Sequence, residues 1–198
     1  MIFTLRRVLV VVAVCAISSM VSGGNVLANH PAANRPAADR ITNDWRSHLT
    51  EELPLLGHRN WIAIVDSAYP LQTSSGIETI ETNADQLDVV ETVLDQIGKT
   101  RHVRPVVFTD AELQAVPETD AAGVTAYREA LSHLLAKSGP QSLPHEQIIA
   151  KLDEAGQRFH VLVLKTRLTI PYTSVFIRLD CGYWTDDAER RLRQSMTK

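Results

Sequence analysis

Two segments of the chain carry side chains able to move protons near neutral pH. In the first, Leu56-Gly57-His58-Arg59-Asn60-Trp61-Ile62-Ala63-Ile64-Val65-Asp66, a histidine precedes and an aspartate follows a short apolar run. A run of that length bounded by turn residues predicts a buried strand, so Asp66 emerges at its carboxyl end, where open α/β sheets bind ligands. In the second, Pro171-Tyr172-Thr173-Ser174-Val175-Phe176-Ile177, a tyrosine stands ahead of another apolar run. Histidine changes charge near neutral pH, an ionised carboxylate accepts hydrogen bonds, and a phenol donates one. Together they suit acid/base chemistry on a sugar. Each also has an ordinary structural use: His58 binding backbone at a helix end, Asp66 capping a turn, Tyr172 packing in a loop.

The elements that must position these residues follow from periodicity. Asn43 is expected to cap a helix from Asp44 that Pro54 ends early. Trp61 to Val65 reads as a strand and Gln72 to Glu81 as a polar loop. Leu87, Val90, Leu94 and Ile97 repeat at helical spacing after the capping sequence Asn83-Ala84-Asp85-Gln86, and Gly98 ends that helix. Val103 to Phe108 is a strand in which Pro105 predicts an edge position. Helices over Thr119 to Lys137 and from Pro144 to Gly156 precede two close strands, Phe159 to Leu164 and Val175 to Leu179. A last helix spans Thr185 to Ser195, with acids at its start and arginines near its end. Alternating strands and helices predict an α/β fold: a single three-layer α/β/α domain with a mostly parallel sheet and one antiparallel pair, formed by the last two strands.

The N-terminus has the order of a secretory signal: Arg6 and Arg7, an apolar stretch from Val8 to Ile17, then small residues ending at Val26-Leu27-Ala28. That stretch falls short of the ~20 residues that cross a bilayer. Residues 1–28 are therefore expected to be a signal peptide of an exported protein with no stable membrane association after cleavage. Residues 29–40, rich in alanine and proline, are expected to be a flexible spacer, and 41–198 the folded domain. Of the two cysteines, only Cys181 lies in that domain, so no intrachain disulfide is available to it. A net charge of -3 gives no basic surface for nucleic acid. No Gly-x-Gly-x-x-Gly, phosphate loop or Gly-x-Ser-x-Gly elbow occurs, which disfavours nucleotide enzymes and serine hydrolases.

The Leu-Gly-His segment leading to Ile64-Val65-Asp66-Ser67-Ala68-Tyr69-Pro70 resembles the opening motif of the D-ribose pyranase and L-fucose mutarotase family (RbsD/FucU). Pro171-Tyr172-Thr173-Ser174 is similar to that family's Pro-Tyr-Ala-Asn before its closing strand, and Tyr127-Arg128-Glu129-Ala130-Leu131 to a helix of the fucose branch. The resemblance spans Arg46 to Tyr183. It implies an isomerase that needs no cofactor and no metal, interconverts ring forms of a free monosaccharide, and assembles as a ring-shaped homo-oligomer with sites near subunit boundaries. By the resemblance, His58, Asp66 and Tyr172 are the catalytic residues. Ser174, Arg167 and His145 are expected sugar contacts, His145 because His145-Glu146-Gln147 resembles a histidine context of the ribose branch.

The chain departs from the family at Thr166-Arg167-Leu168, where many members carry Thr-Gly-Glu, and at Ser174, where asparagine is usual. Ile149 stands where the ribose branch has lysine, and the same residue removes the second histidine of a His-Glu-x-x-His zinc pair. An exported, non-catalytic carbohydrate-binding relative of the same fold is therefore the alternative expectation.

Overall fold

In the computed structural model, residues 44–197 are described; the expected signal peptide and spacer lie outside them. Among the described residues, no helix is long and apolar enough to cross a membrane. Six strands form one sheet: β1 (Trp61–Val65), β2 (Ile77–Glu81), β3 (Val103–Asp110), β4 (Gln141–Leu143), β5 (Val161–Lys165) and β6 (Val175–Cys181). Five α-helices accompany it: α1 (Trp45–Glu52), α2 (Gln86–Gly98), α3 (Val124–Leu135), α4 (His145–Gly156) and α5 (Asp186–Met196). The strand order is β2-β5-β1-β6-β3-β4. β6 runs antiparallel to both its neighbours and all other pairs are parallel, which makes the sheet the mostly parallel one expected.

The last two strands do not pair with each other, which corrects the sequence reading. β5 lies on one side of β1 and β6 on the other. The short connection between them is a bridge across the end of β1.

Alternate positions of each central strand face opposite layers, because the side-chain period of a strand is two. Ile62, Ile64, Leu162, Leu164 and Ile177 meet α1, α2 and α3 on one face. Trp61, Ala63, Val65, Val161 and Phe176 meet Ile148, Leu152 and Ala155 of α4 on the other. Burial on both faces explains why β1 reads as an uninterrupted apolar run.

Local differences from the sequence reading have physical causes. Asp44, not Asn43, caps α1 by accepting from the Arg46 N–H. The polar stretch 72–81 contains β2, an edge strand whose residues are only partly buried and so lack an apolar signature. β4, three residues long and largely exposed, had no signal to read. α3 starts later than expected, at Val124, because Glu118 accepts from the Gly123 and Thr125 N–H groups and Gly123 takes φ 88. Pro105 has β6 as its only strand neighbour, since β4 pairs no earlier than Phe108, so β3 is an edge there.

Gly76, just before β2, packs so closely that a Cβ would collide with the Gly156 carbonyl oxygen and lie 2.8 Å from that of Phe159. Gly76→Ala is expected to destabilise the fold by about 1–3 kcal/mol, the usual cost of overpacking, measured by urea denaturation.

Candidate functional site

A chain that leaves β5 at its carboxyl end and enters antiparallel β6 at the same end of the sheet must pass over the end of β1. The connection 166–174 makes that passage, and it carries Tyr172 to the mouth of a cavity of about 420 Å³ that Asp66, Tyr69, His145, Ile170 and Tyr172 help to line. Asp66 sits directly after β1, where its Oδ1 accepts from the Ala68 N–H at 2.8 Å. That bond is the turn-capping use of aspartate, and it leaves Oδ2 for the cavity.

β3 and β4 position His145, which lines the cavity from the start of α4. Their parallel register sets Asp110 beside Leu143, two residues before His145 opens α4. A 3₁₀ turn, Ala111–Ala115, follows Asp110 at once. Its Glu112 accepts the His145 backbone N–H through both carboxylate oxygens at 3.0 Å, which fixes the start of α4 against the end of β3. His145 Nδ1 then lies 3.1 Å from Asp110 Oδ1, and its ring meets Tyr172 edge-on with centroids 5.7 Å apart.

The Asp110 side chain is fully buried. Its approach to His145 is at ion-pair distance but off hydrogen-bond geometry, so neither carboxylate oxygen has a hydrogen-bond partner among the described residues. Burial pushes the Asp110 carboxyl up to about 6, against the opposing pull of His145. Such a group is costly for the fold and is the kind of perturbed carboxyl that gathers at functional sites.

The tyrosine loop rests on a buried polar network. Gln86, 0% exposed at the first turn of α2, donates to the Thr173 carbonyl at 2.5 Å and to the Tyr127 hydroxyl at 3.0 Å, and accepts from Thr166 Oγ1 at 3.0 Å. Tyr127 donates to the same Thr173 carbonyl at 2.9 Å, and burial raises its phenol far above the ordinary value. These bonds hold both ends of the loop while Tyr172 takes φ 58, a left-handed conformation uncommon for an aromatic residue. A glutamine at a helix start has many uses, so this one left no sign in the sequence. Asp110 was equally silent: it follows an apolar strand as many turn aspartates do, and only the fold brings His145 to it.

His58 lies elsewhere. Five β1 residues at ~3.3 Å each put roughly 16 Å between the two strand ends, so His58 at the amino end does not share a cavity with Asp66. Its Nδ1 meets Asp180 Oδ1 at 3.0 Å, and Asp180 Oδ2 accepts from Arg104 Nε and Nη2 at 3.1 and 2.6 Å. Burial alone would raise the Asp180 carboxyl, but the Arg104 guanidinium, the Cys181 N–H and His58 outweigh it and hold it below its usual value. The result is an exposed histidine on an ionised, anchored carboxylate.

The three expected sugar contacts divide in the same way. His145 lines the cavity. Ser174 is buried at 2% exposure, and the exposed Arg167 binds the Ala84 carbonyl through its backbone N–H; neither lines the cavity. Leu168 packs on the core, and its carbonyl accepts the Ser67 N–H. A larger hollow of about 750 Å³ beside Gly98 and Pro105 holds one titratable group of interest, His102, whose Nε2 is taken by the carbonyls of Leu53 and Leu56 at 3.2 and 3.1 Å. Among the described residues no group of three or more His, Cys, Asp or Glu side chains is placed to hold a metal ion.

No protein-family model matches the sequence, and no curated protein matches it. Among solved structures, the chain is similar to RbsD of Bacillus subtilis in complex with D-ribose, at 21% identity over 67% of this chain and 90% of that one, with a TM-score of 0.48. It is also similar to the fucose mutarotase of Streptococcus pneumoniae in complex with L-fucose, at 14% identity over 70% and 92%, with a TM-score of 0.42. FucU of Bifidobacterium longum matches at 12% identity over 67% and 92%, with a TM-score of 0.44.

Proposed function

We propose that this chain is a mutarotase-like isomerase that opens and recloses the hemiacetal ring of a free monosaccharide at the carboxyl end of its sheet. The observation that carries the reading is the placement of His145, backed by the buried Asp110, in a cavity that Asp66 and Tyr172 also line. Ring opening removes a proton from the anomeric hydroxyl, breaks the bond between the anomeric carbon and the ring oxygen, and returns a proton to that oxygen. His145, whose Nε2 is not the nitrogen facing Asp110, takes the first proton, and Asp110 stabilises the imidazolium so formed. Tyr172 Oη donates toward the ring oxygen, and Asp66 Oδ2 accepts from a sugar hydroxyl. Reclosure on the other face of the carbonyl reverses the transfers and changes the anomer.

His58 enters this scheme from a neighbouring copy. The resemblance makes it catalytic and places sites near subunit boundaries, and the length of β1 separates it from Asp66 within one chain. In a closed ring, each cavity then receives the His58–Asp180 pair of the adjacent subunit.

The test is saturation-transfer NMR of ribose, fucose, galactose and glucose with the purified protein. Exchange well above the uncatalysed rate supports the proposal; none with any sugar refutes it. His58→Ala and His145→Ala are each expected to be inactive. A mixture in equal amounts, after subunit exchange, is expected to regain about one quarter of the wild-type rate, since random assembly leaves that share of boundaries with both histidines. Failure of the mixture to recover would confine the chemistry to one chain. The second reading, a non-catalytic sugar-binding relative, is favoured by Leu168 and Ser174, which lie in the core and not at the cavity. It would appear as binding without exchange.

A further inference from the structure

One strand position breaks the apolar pattern on the α4 face of the sheet. Residues two apart on a strand share a face, so Arg178 of β6 follows Phe176 there; Phe176 is buried in that core and Arg178 is exposed. In register, Arg178 lies between Trp61 of β1 and Val106 of β3, in the interior of the sheet and not at its edge. The hollow that exposes it encloses about 290 Å³ at the amino end of β1, the end away from Asp66, and Arg59, Lys151 and Arg158 line it too. Four cations thus share this hollow with one carboxylate, Glu154.

The ordinary uses of surface cations do not account for these four. Among the described residues none of them has a carboxylate at ion-pair distance, whereas Lys99, Arg104, Arg190 and Arg193 each do. Basic side chains near a helix end often serve its last carbonyls. At the end of α4 those acceptors are already taken: the Ala155 carbonyl accepts the Arg158 and Phe159 N–H groups at 2.9 and 2.7 Å, and the Gly156 carbonyl accepts from Ser74 Oγ at 2.9 Å. Arg59 takes φ 78, a left-handed conformation uncommon outside glycine. Its N–H donates to the Leu179 carbonyl at 3.0 Å, which sets it alongside Arg178. The Arg59 guanidinium lies 5.8 Å from the centre of the Phe159 ring and donates from Nε to His58 Nε2 at 3.3 Å, leaving its two terminal nitrogens for the hollow.

We propose that this hollow binds the phosphate dianion, free or as the phosphoryl group of a compact monoester. Like charges gathered on one concave surface repel each other, and a bound anion relieves that repulsion. Near neutral pH a phosphate monoester carries close to two negative charges and presents several acceptor oxygens, which matches the excess of cations better than a single carboxylate does. Arginine forks bind such oxygens in pairs, and three of the four cations are arginines. The hollow is small for a ligand site, so its occupant is a compact molecule and not a polymer. Trp61 and Phe159, also in the wall, offer apolar surface to the organic part of an ester. The proposal stands on this hollow alone and does not rest on the sugar chemistry.

Phosphorus NMR of inorganic phosphate and of glycerol 3-phosphate, titrated with the full chain at constant low ionic strength, tests it, with circular dichroism to verify folding. Glycerol 3-phosphate has no ring to open, so its binding is read apart from the proposed activity. Both probes are expected to show saturable binding that acetate does not displace. Tighter binding of the ester supports the monoester form, and equal binding supports free phosphate. Arg178→Gln and Arg158→Gln are each expected to weaken binding about 10- to 100-fold, the effect of losing a charged hydrogen bond. Arg191→Gln, which removes the same charge from α5, is expected to leave it unchanged. No saturation with either probe, displacement by acetate, or equal weakening by Arg191→Gln would overturn the site, since the cations would then attract anions only in general.

Discussion

His145→Ala is expected to slow the exchange of sugar ring forms by ~100- to 10,000-fold, the range a positioned general acid or base contributes. The size of the effect follows from the role assigned to His145 as the base for the anomeric hydroxyl, which Asp110, fully buried and out of contact with substrate, does not reach. His145 is 29% exposed on its side chain and sits at the first residue of α4, so its removal leaves the core intact. Binding of the sugar, followed by the chemical shifts of Tyr69 and Ile170, is expected to survive within a few-fold, since the remaining cavity wall is unchanged. A His145→Ala protein with wild-type exchange would remove the acid/base role of this residue.

Asp110→Asn is expected to act in opposite directions on stability and activity. The wild-type carboxyl is raised from 3.8 to about 6, so between those values the folded protein holds a proton that the unfolded chain has released. The sign is then fixed: this group's contribution to stability is largest below pH 4, declines as pH rises to about 6, and stays at its lower value above that. At ~1.4 kcal/mol per pH unit, the shift from 3.8 to about 6 corresponds to about 3 kcal/mol. An amide in place of the carboxylate removes that cost but is itself buried without a partner, so the expected gain at pH 7.5 is about 1–3 kcal/mol. Urea denaturation of the two proteins should show the gap closing toward pH 4. Activity moves the other way, because the ionised carboxylate is what stabilises the imidazolium of His145. Asp110→Asn should slow exchange strongly, and the wild-type rate should fall as pH drops below about 6, with an apparent value that belongs to the coupled pair. Equal stability of the two proteins across pH 4–8 would contradict the burial argument.

The two effects belong together. A fold that keeps an unpartnered carboxyl at the end of β3, and a tyrosine at φ 58 against His145, gives up stability at one end of the sheet. At the opposite end the Asp180 carboxylate is satisfied by Arg104 and His58.

Much of the architecture was legible in the chain. The uninterrupted apolar run Trp61–Val65 between turn residues reads as a buried strand, and Leu87, Val90, Leu94 and Ile97 repeat at helical spacing. Asp66 and Tyr172 could be placed at strand ends by the same local rules. The partners of these residues could not, because Asp110 and His145, like Gln86 and Thr173, meet only through pairings between segments far apart in sequence. What the sequence determined by itself was the set of elements and which of their ends carry polar groups, since periodicity and turn residues are local. What only the tertiary structure decided was which ends meet. β6 enters on the far side of β1, so the loop from β5 must carry Tyr172 over Asp66, and the length of β1 keeps His58 out of that cavity.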